Sequence, residues 1–207
     1  MNKKITILLI IVGFLMGGFF LTKNKTKIDF KENSVIEENK EIKETKKIIE
    51  PVNEFKTRIT KKPFGIFITP ENSPVQPERF SGYHTGVDVE FEDKDEEIEV
   101  KSICDGEVVL RRWVSGYGGT AVIKCQKDGV DYYLLYGHLK NESITENGEI
   151  RIGEKIGILG KGGTQETDGE RKHLHLAIHK NTLDLRGYVQ DKAELENWVD
   201  PEDQKLF

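Results

Sequence analysis

The sequence predicts a mainly β domain, an antiparallel sandwich or partly open barrel, preceded by one N-terminal transmembrane helix. Three observations carry this. From Phe55 onward, short β-runs are broken at close intervals by Gly, Pro, Asn and Asp. Residues 5–22 (ITILLIIVGFLMGGFFLT) hold no charge. Between the two lies a stretch too polar to bury. The chain therefore divides into a signal anchor or transmembrane helix (1–22), a charged stalk or linker (23–54) and the β domain (55–207).

Eighteen helical residues would span about 27 Å, close to a hydrocarbon core of about 30 Å. Lys3 and Lys4 precede the run as in an export signal. No convincing small-x-small cleavage site follows it, and no nearby cysteine offers lipid attachment. An uncleaved anchor is favoured, with secretion after signal cleavage as the alternative. The run is apolar on every face, which argues against a buried soluble helix. Lys23, Lys25 and Lys27 compete with the N-terminal pair, so the preferred orientation rests on the shortness of the preceding tail.

Residues 23–50 contain eight Lys, six Glu and one Asp. Ile28, Val35, Ile42 and Ile49 recur every seven residues, but the second apolar position of a heptad is polar. A solvated stalk fits better than a coiled coil. After Pro51 the expected strands are Glu97–Ile103, Glu107–Trp113, Thr120–Lys124, Tyr132–Tyr136, Lys155–Leu159 and His173–His179. Turns are expected at Asp105-Gly106, Gly116 to Gly119, Lys127-Asp128-Gly129 and Asn147-Gly148. Only Asp191–Trp198 reads, weakly, as helix.

The net charge of −5 and pI near 5.7 argue against a nucleic-acid binder, which would carry a basic face. Cys104 and Cys125 either pair, if the domain is exported, or remain two buried thiols. Neither belongs to a Cys-x-x-Cys, so a structural cysteine–zinc site is not expected.

The chain has five histidines, and four fall in a pattern with one aspartate. His84 and Asp88 are four apart. On a straight strand their Cα atoms would lie about 13 Å apart, too far to share a metal, so the segment must bend. Gly86 offers backbone freedom there, and Thr85, Val87 and Val89 argue against a helix. His173 and His175 would share one face of a strand, with Leu174 and Leu176 pointing to the opposite, buried layer. Which of the two would hold a metal stays open at this level. His179 falls on the same face and reads as an ordinary solvated residue. His138 ends an aromatic run, Tyr132 to Tyr136, before an expected turn.

These motifs, in order, make the chain resemble the lysostaphin-type zinc metallopeptidases, the peptidoglycan endopeptidases that include LytM-like domains. The resemblance covers about residues 55–200. It runs through Lys62-Pro63-Phe64-Gly65, His84-Thr85-Gly86-Val87-Asp88, Asp105-Gly106-Glu107-Val108, Gly116-Tyr117-Gly118, Tyr136-Gly137-His138-Leu139, Gly153-Glu154-Lys155-Ile156-Gly157 and His173-Leu174-His175-Leu176. It implies a fold built on a duplicated hybrid motif. It implies one Zn²⁺ per chain on His84, Asp88 and His175, with His138 and His173 as catalytic non-ligands and one open position for water. It points to peptidoglycan peptides as substrate; the membrane anchor and stalk read from the N-terminal residues would hold the domain outside the cytoplasm, where wall peptides are found.

Two departures stand out. Residues 162–172 are longer and more charged than the usual Gly/Ser/Thr-rich approach to the last motif, and Leu-Ala-Ile-His follows His175. Other readings are a non-catalytic wall-binding or amidase-activating module of the same fold, a D,D-dipeptidase and a lipoyl-like carrier. The dipeptidase lacks its Glu-x-x-His segment here. The carrier, suggested by residues 147–160, lacks a lysine at a clear hairpin tip and leaves the histidines unexplained.

Overall fold

In the computed structural model the described residues are 49–203. The apolar run 5–22, and the part of the stalk before residue 49, lie outside them. Among the described residues no helix is long and apolar enough to cross a membrane.

The described chain is mainly antiparallel β. Its strands in order are β1 (Phe67–Ile68), β2 (Gly82–His84), β3 (Gly86–Glu90), β4 (Glu99–Lys101), β5 (Gly106–Val114), β6 (Gly118–Lys127), β7 (Val130–Leu139), β8 (Gly148–Ile150), β9 (Lys155–Ile158), β10 (His173–Lys180), β11 (Tyr188–Val189) and β12 (Trp198–Val199). The large sheet runs β12-β10-β7-β6-β5-β8, with β3 also paired to β10. A small sheet is ordered β1-β2-β11, and β4 pairs with β9.

The expected strands form, Glu97–Ile103 only over Glu99–Lys101, and β6 and β7 are longer at both ends than their apolar runs suggest. Once the Lys127-Asp128-Gly129 turn brings the two together, the ladder continues across polar residues such as Gln126 and Asp131. The segment read as a weak helix, Asp191–Trp198, is a 3-10 helix over Lys192–Asn197 that gives way to β12.

Alternation along the strands sorts the large sheet's two faces. Val87, Val89, Ile123, Leu134, Leu174 and Leu176 turn to one side and join Val100 and Ile156 of the β4–β9 pair in the main core. Ala177, Val122, Leu135 and Trp198 turn to the other and form a smaller cluster with Tyr117. Leu174 and Leu176 are thus in the buried layer, as their parity requires. Val52, in the stretch read as linker, is buried in the main core beside Phe55.

His179 is a correction. It has the expected parity but is 5% exposed, not solvated. The short strand β12 pairs with this end of β10, placing Trp198 opposite His179 and its ring edge-on at 4.6 Å. Its Nδ1 donates to the Thr182 carbonyl, so the buried ring keeps a polar partner.

Cys104 and Cys125 form a disulfide, buried in the core, that ties the entry of β5 to β6 across 21 residues of chain. Closing a loop of this length stabilises a fold by about 3 kcal/mol, mainly by restricting the unfolded chain. Replacing both cysteines by Ala should therefore lower the melting temperature by roughly 6–12 °C for a domain of this size. Thermal melts of variant and parent check this, and equal melting temperatures would contradict it.

Candidate active site

The site is built on the pairing of β3 with β10. Their register places Asp88 opposite His175 and Glu90 opposite His173. Residues directly opposite in an antiparallel pair share a face. Asp88, Glu90, His173 and His175 therefore project together, away from the main core. The segment from His84 to Asp88 does bend, and the bend falls at Thr85. There the chain leaves the small sheet and enters the large one, held by Thr85 N and Oγ1 donating to the carbonyls of Gly187 and Arg186 at 3.0 and 2.7 Å. Gly86 has a different role from the expected one. A Cβ on it would lie 2.4 Å from the Leu176 carbonyl oxygen, so glycine is required by the close approach of β10.

His84 reaches the same point from β2. Its Nδ1 lies 3.3 Å from the Pro63 carbonyl, which can only accept, so Nδ1 carries the proton and Nε2 offers its lone pair. Tyr188, opposite His84 on β11, stacks on the ring at 5.1 Å. Lys62 donates to the Tyr188 hydroxyl at 3.1 Å and to Glu78 at 2.5 Å in a buried pair. The Lys62 carbonyl in turn accepts from the Asp88 amide at 3.0 Å.

Three donor atoms converge. His84 Nε2 is 3.2 Å from His175 Nδ1 and 3.4 Å from Asp88 Oδ1, and His175 Nδ1 is 3.0 Å from Asp88 Oδ1. Donors about 2.0–2.1 Å from a tetrahedral metal stand roughly 3.3 Å from one another. Two imidazoles and a carboxylate at these separations fit a divalent transition metal. Among the described residues they are the one group of His, Cys, Asp or Glu side chains so arranged.

His138 and His173 lie beside this triangle, ring centroids 4.1 Å apart. His138 is in β7 itself and not beyond its end. It sits where the β6–β7 register shifts, with φ of 63°. Such a bulge re-aims one side chain without ending the strand. The preceding Gly137 leaves room for the Tyr117 ring, which a Cβ there would meet at 2.7 Å. His138 Nδ1 donates to the Thr167 carbonyl at 3.2 Å, and His173 Nδ1 to the Arg171 carbonyl at 2.9 Å. Both rings are thereby fixed in the tautomer that leaves Nε2 unprotonated. His173 Nε2 is 3.5 Å from Asp88 Oδ2. A cleft of about 290 Å³ opens over Asp88, His138, His173 and His175.

All five residues singled out in the sequence thus meet. Sequence reasoning does not single out Glu90 or Arg171, which belong to the same cluster. Arg171 donates to Asp88 Oδ2 at 2.8 Å and to both oxygens of Glu90 at 2.6 and 2.8 Å. Strand parity with Asp88 is a signal for Glu90; none in the sequence pairs Arg171 with either carboxylate.

Burial opposes ionisation of Asp88, but the positive charge that His173 and His84 take up when protonated and the hydrogen bond from His175 hold its carboxyl well below the usual range. Burial lowers the imidazoles of His173 and His175 against the opposing pull of Asp88. The same desolvation takes His138 down to about 3. A histidine whose folded pKa is depressed disfavours protonation relative to the unfolded chain. Its contribution is complete above the unfolded pKa of about 6.5 and is lost as pH falls toward the folded value. Asp88 adds loss only below about 3.9, the unfolded carboxyl value. The metal-free protein should therefore lose stability as pH falls below about 6.5, by up to roughly 1.4 kcal/mol per pH unit for each of His138, His173 and His175. Urea unfolding midpoints across this range measure the slope, and a flat profile would contradict neutral buried rings.

The model of peptidase family M23 matches residues 82–186, just over half of the chain. The catalytic domain of lysostaphin from Staphylococcus simulans is similar in structure, with 22% identity, 70% of this chain and 91% of that one covered, and a TM-score of 0.48. Csd3 from Helicobacter pylori gives 23% identity over 77% of this chain and 38% of its own, with a TM-score of 0.44. Among curated proteins, the murein hydrolase activator EnvC of Escherichia coli (strain K12) is 34% identical over 67 residues, 32% of this chain. The chain spans only 15% of that relative's length. With the family match extending from β2, which carries His84, past the end of β10, which carries His173 and His175, the chain belongs to peptidase family M23.

Proposed function

We propose that this protein is a zinc metalloendopeptidase that hydrolyses peptide bonds in the peptide part of bacterial peptidoglycan. The observation that supports it most is the convergence of His84 Nε2, Asp88 Oδ1 and His175 Nδ1, 3.0–3.4 Å from one another, beside a cleft that also holds the imidazoles of His138 and His173. One Zn²⁺ would be held by these three residues. Bound there, it would supply Lewis acidity toward a peptide carbonyl and lower the pKa of a water.

The chain's own groups account for the proton. His138 and His173 are neutral by burial, so each presents an unprotonated Nε2 at neutral pH. Asp88 Oδ2 beside His173 Nε2 stabilises a proton taken up there. His173 is therefore the better general base, able to return that proton to the leaving amine. His138, fixed by Thr167, lines the same cleft and offers its Nε2 to the reacting group.

The run at 5–22 would anchor the protein as a single-pass segment in the bacterial cell membrane, with the charged stretch as a stalk and the peptidase domain outside the cytoplasm. The buried disulfide supports export, since such bonds persist in oxidising compartments. Secretion after signal cleavage is the alternative, and the mass of the mature protein separates the two.

The second reading is a non-catalytic module that binds wall or activates an amidase. The stretch shared with a protein named as a murein hydrolase activator favours it. The presence of all five site residues favours the enzyme. Zinc analysis of the purified full chain, with mass spectrometry of digested peptidoglycan, decides between them. The enzyme predicts about one zinc per chain and new peptide termini, whereas zinc-free protein without cleavage would leave the activator reading. His84→Ala, Asp88→Ala or His175→Ala should lose zinc and cleavage together. His138→Ala and His173→Ala should keep zinc and slow cleavage by about 10²–10⁴-fold. Loss of zinc in His173→Ala would overturn the division of roles.

A further inference from the structure

We propose that Arg171 is a positioning residue that splits the two oxygens of Asp88, holding Oδ2 so that the carboxylate ligates metal through Oδ1 alone. This rests on the metal-centre reading above.

The charged approach to β10 is unusual in its sequence and specific in its contacts. Asp168 Oδ2 accepts from the Gly116 amide at 2.7 Å and pairs with Arg79 at 3.1 Å. Glu170 pairs with the same Arg79, and Lys172 donates to the carbonyls of Lys94 and Glu96. Arg171 is the charge of this run that hydrogen-bonds to Asp88 and Glu90. Its side chain is 7% exposed, and its guanidinium spans Asp88 Oδ2 and both oxygens of Glu90. A planar fork with several donors can serve both carboxylates; a lysine ammonium cannot match that geometry.

The division of Asp88 follows. Oδ1 faces His84 and His175, while Oδ2 faces Arg171 and His173. A carboxylate bound through both oxygens would take the position that a hydrolytic site keeps for water. Glu90 offsets the guanidinium charge, so the three groups together keep one negative charge for a cation. The Arg171 carbonyl also fixes His173. One residue therefore sets both the ligand geometry and the neighbouring imidazole.

The test uses the full chain, stripped of metal and reloaded with Zn²⁺ or Co²⁺. Arg171→Lys keeps the charge and most of the buried stem but loses the fork. Zinc affinity, read by competition with a chromophoric chelator, should fall by about 10–100-fold, the usual range for outer-shell partners. The Co²⁺ form should show a shifted visible spectrum as the freed Oδ2 takes the position kept for water. Circular dichroism and the metal-free melting temperature report whether the fold is kept. Should this variant fail to fold, Glu90→Gln replaces it. That variant leaves the Arg171 charge offset by Asp88 alone and should weaken zinc by a similar factor, with a parental Co²⁺ spectrum because Arg171 still holds Oδ2. Parental zinc affinity and a parental Co²⁺ spectrum in a folded variant would overturn the proposal. A parent chain that binds neither ion would overturn the metal-centre reading itself, and this proposal with it.

Discussion

The antiparallel pairing of β3 with β10 is the constraint on which the rest of the site depends. It sets Asp88 across from His175 and Glu90 across from His173, and it puts all four on one face. A slip of one residue would turn these polar groups into the main core and expose Val87, Val89, Leu174 and Leu176. The apolar faces of the two strands therefore enforce the register that the polar faces use. Gly86 is part of the same constraint, because a larger residue would hold β3 off β10 at the Leu176 carbonyl.

The imidazoles are positioned by backbone carbonyls: Pro63 for His84, Thr167 for His138 and Arg171 for His173. Each carbonyl lies outside the strand that carries its histidine. The strands bring the rings together, and the connecting segments choose which nitrogen faces the cleft. Those segments are themselves tied down by charge, as where Arg79 bridges Asp168 and Glu170. Each ring is thereby held in one tautomer.

Much of this is legible in the residues. The His-x-His parity, the need for a bend between His84 and Asp88, and the burial of Leu174 and Leu176 follow from strand geometry alone. The rest depends on partners distant in sequence. His138 reads as the end of a strand because nothing local announces a bulge; the register shift opposite Gly119 and Ala121 creates it. His179 reads as solvated because the two-residue strand that covers it lies almost twenty positions downstream. Arg171 reads as one charge in a polar loop because its carboxylate partners sit on a strand over eighty residues earlier. The Cys104–Cys125 pairing needed the structure, since two cysteines this far apart are compatible with either state.

The switch of sheets at Thr85 has a mechanical meaning. His84 belongs to the small sheet, whereas Asp88 and His175 belong to the large one. A cation shared by the three is a cross-brace between two otherwise separately hydrogen-bonded layers. Its binding free energy is then also a free energy of docking those layers, since only the seated arrangement presents all three donors at once. Tyr188 and Gly187 travel with the small sheet and also wall the cleft. Were a cation held there, its occupancy and the shape of the groove above it would be one cooperative variable.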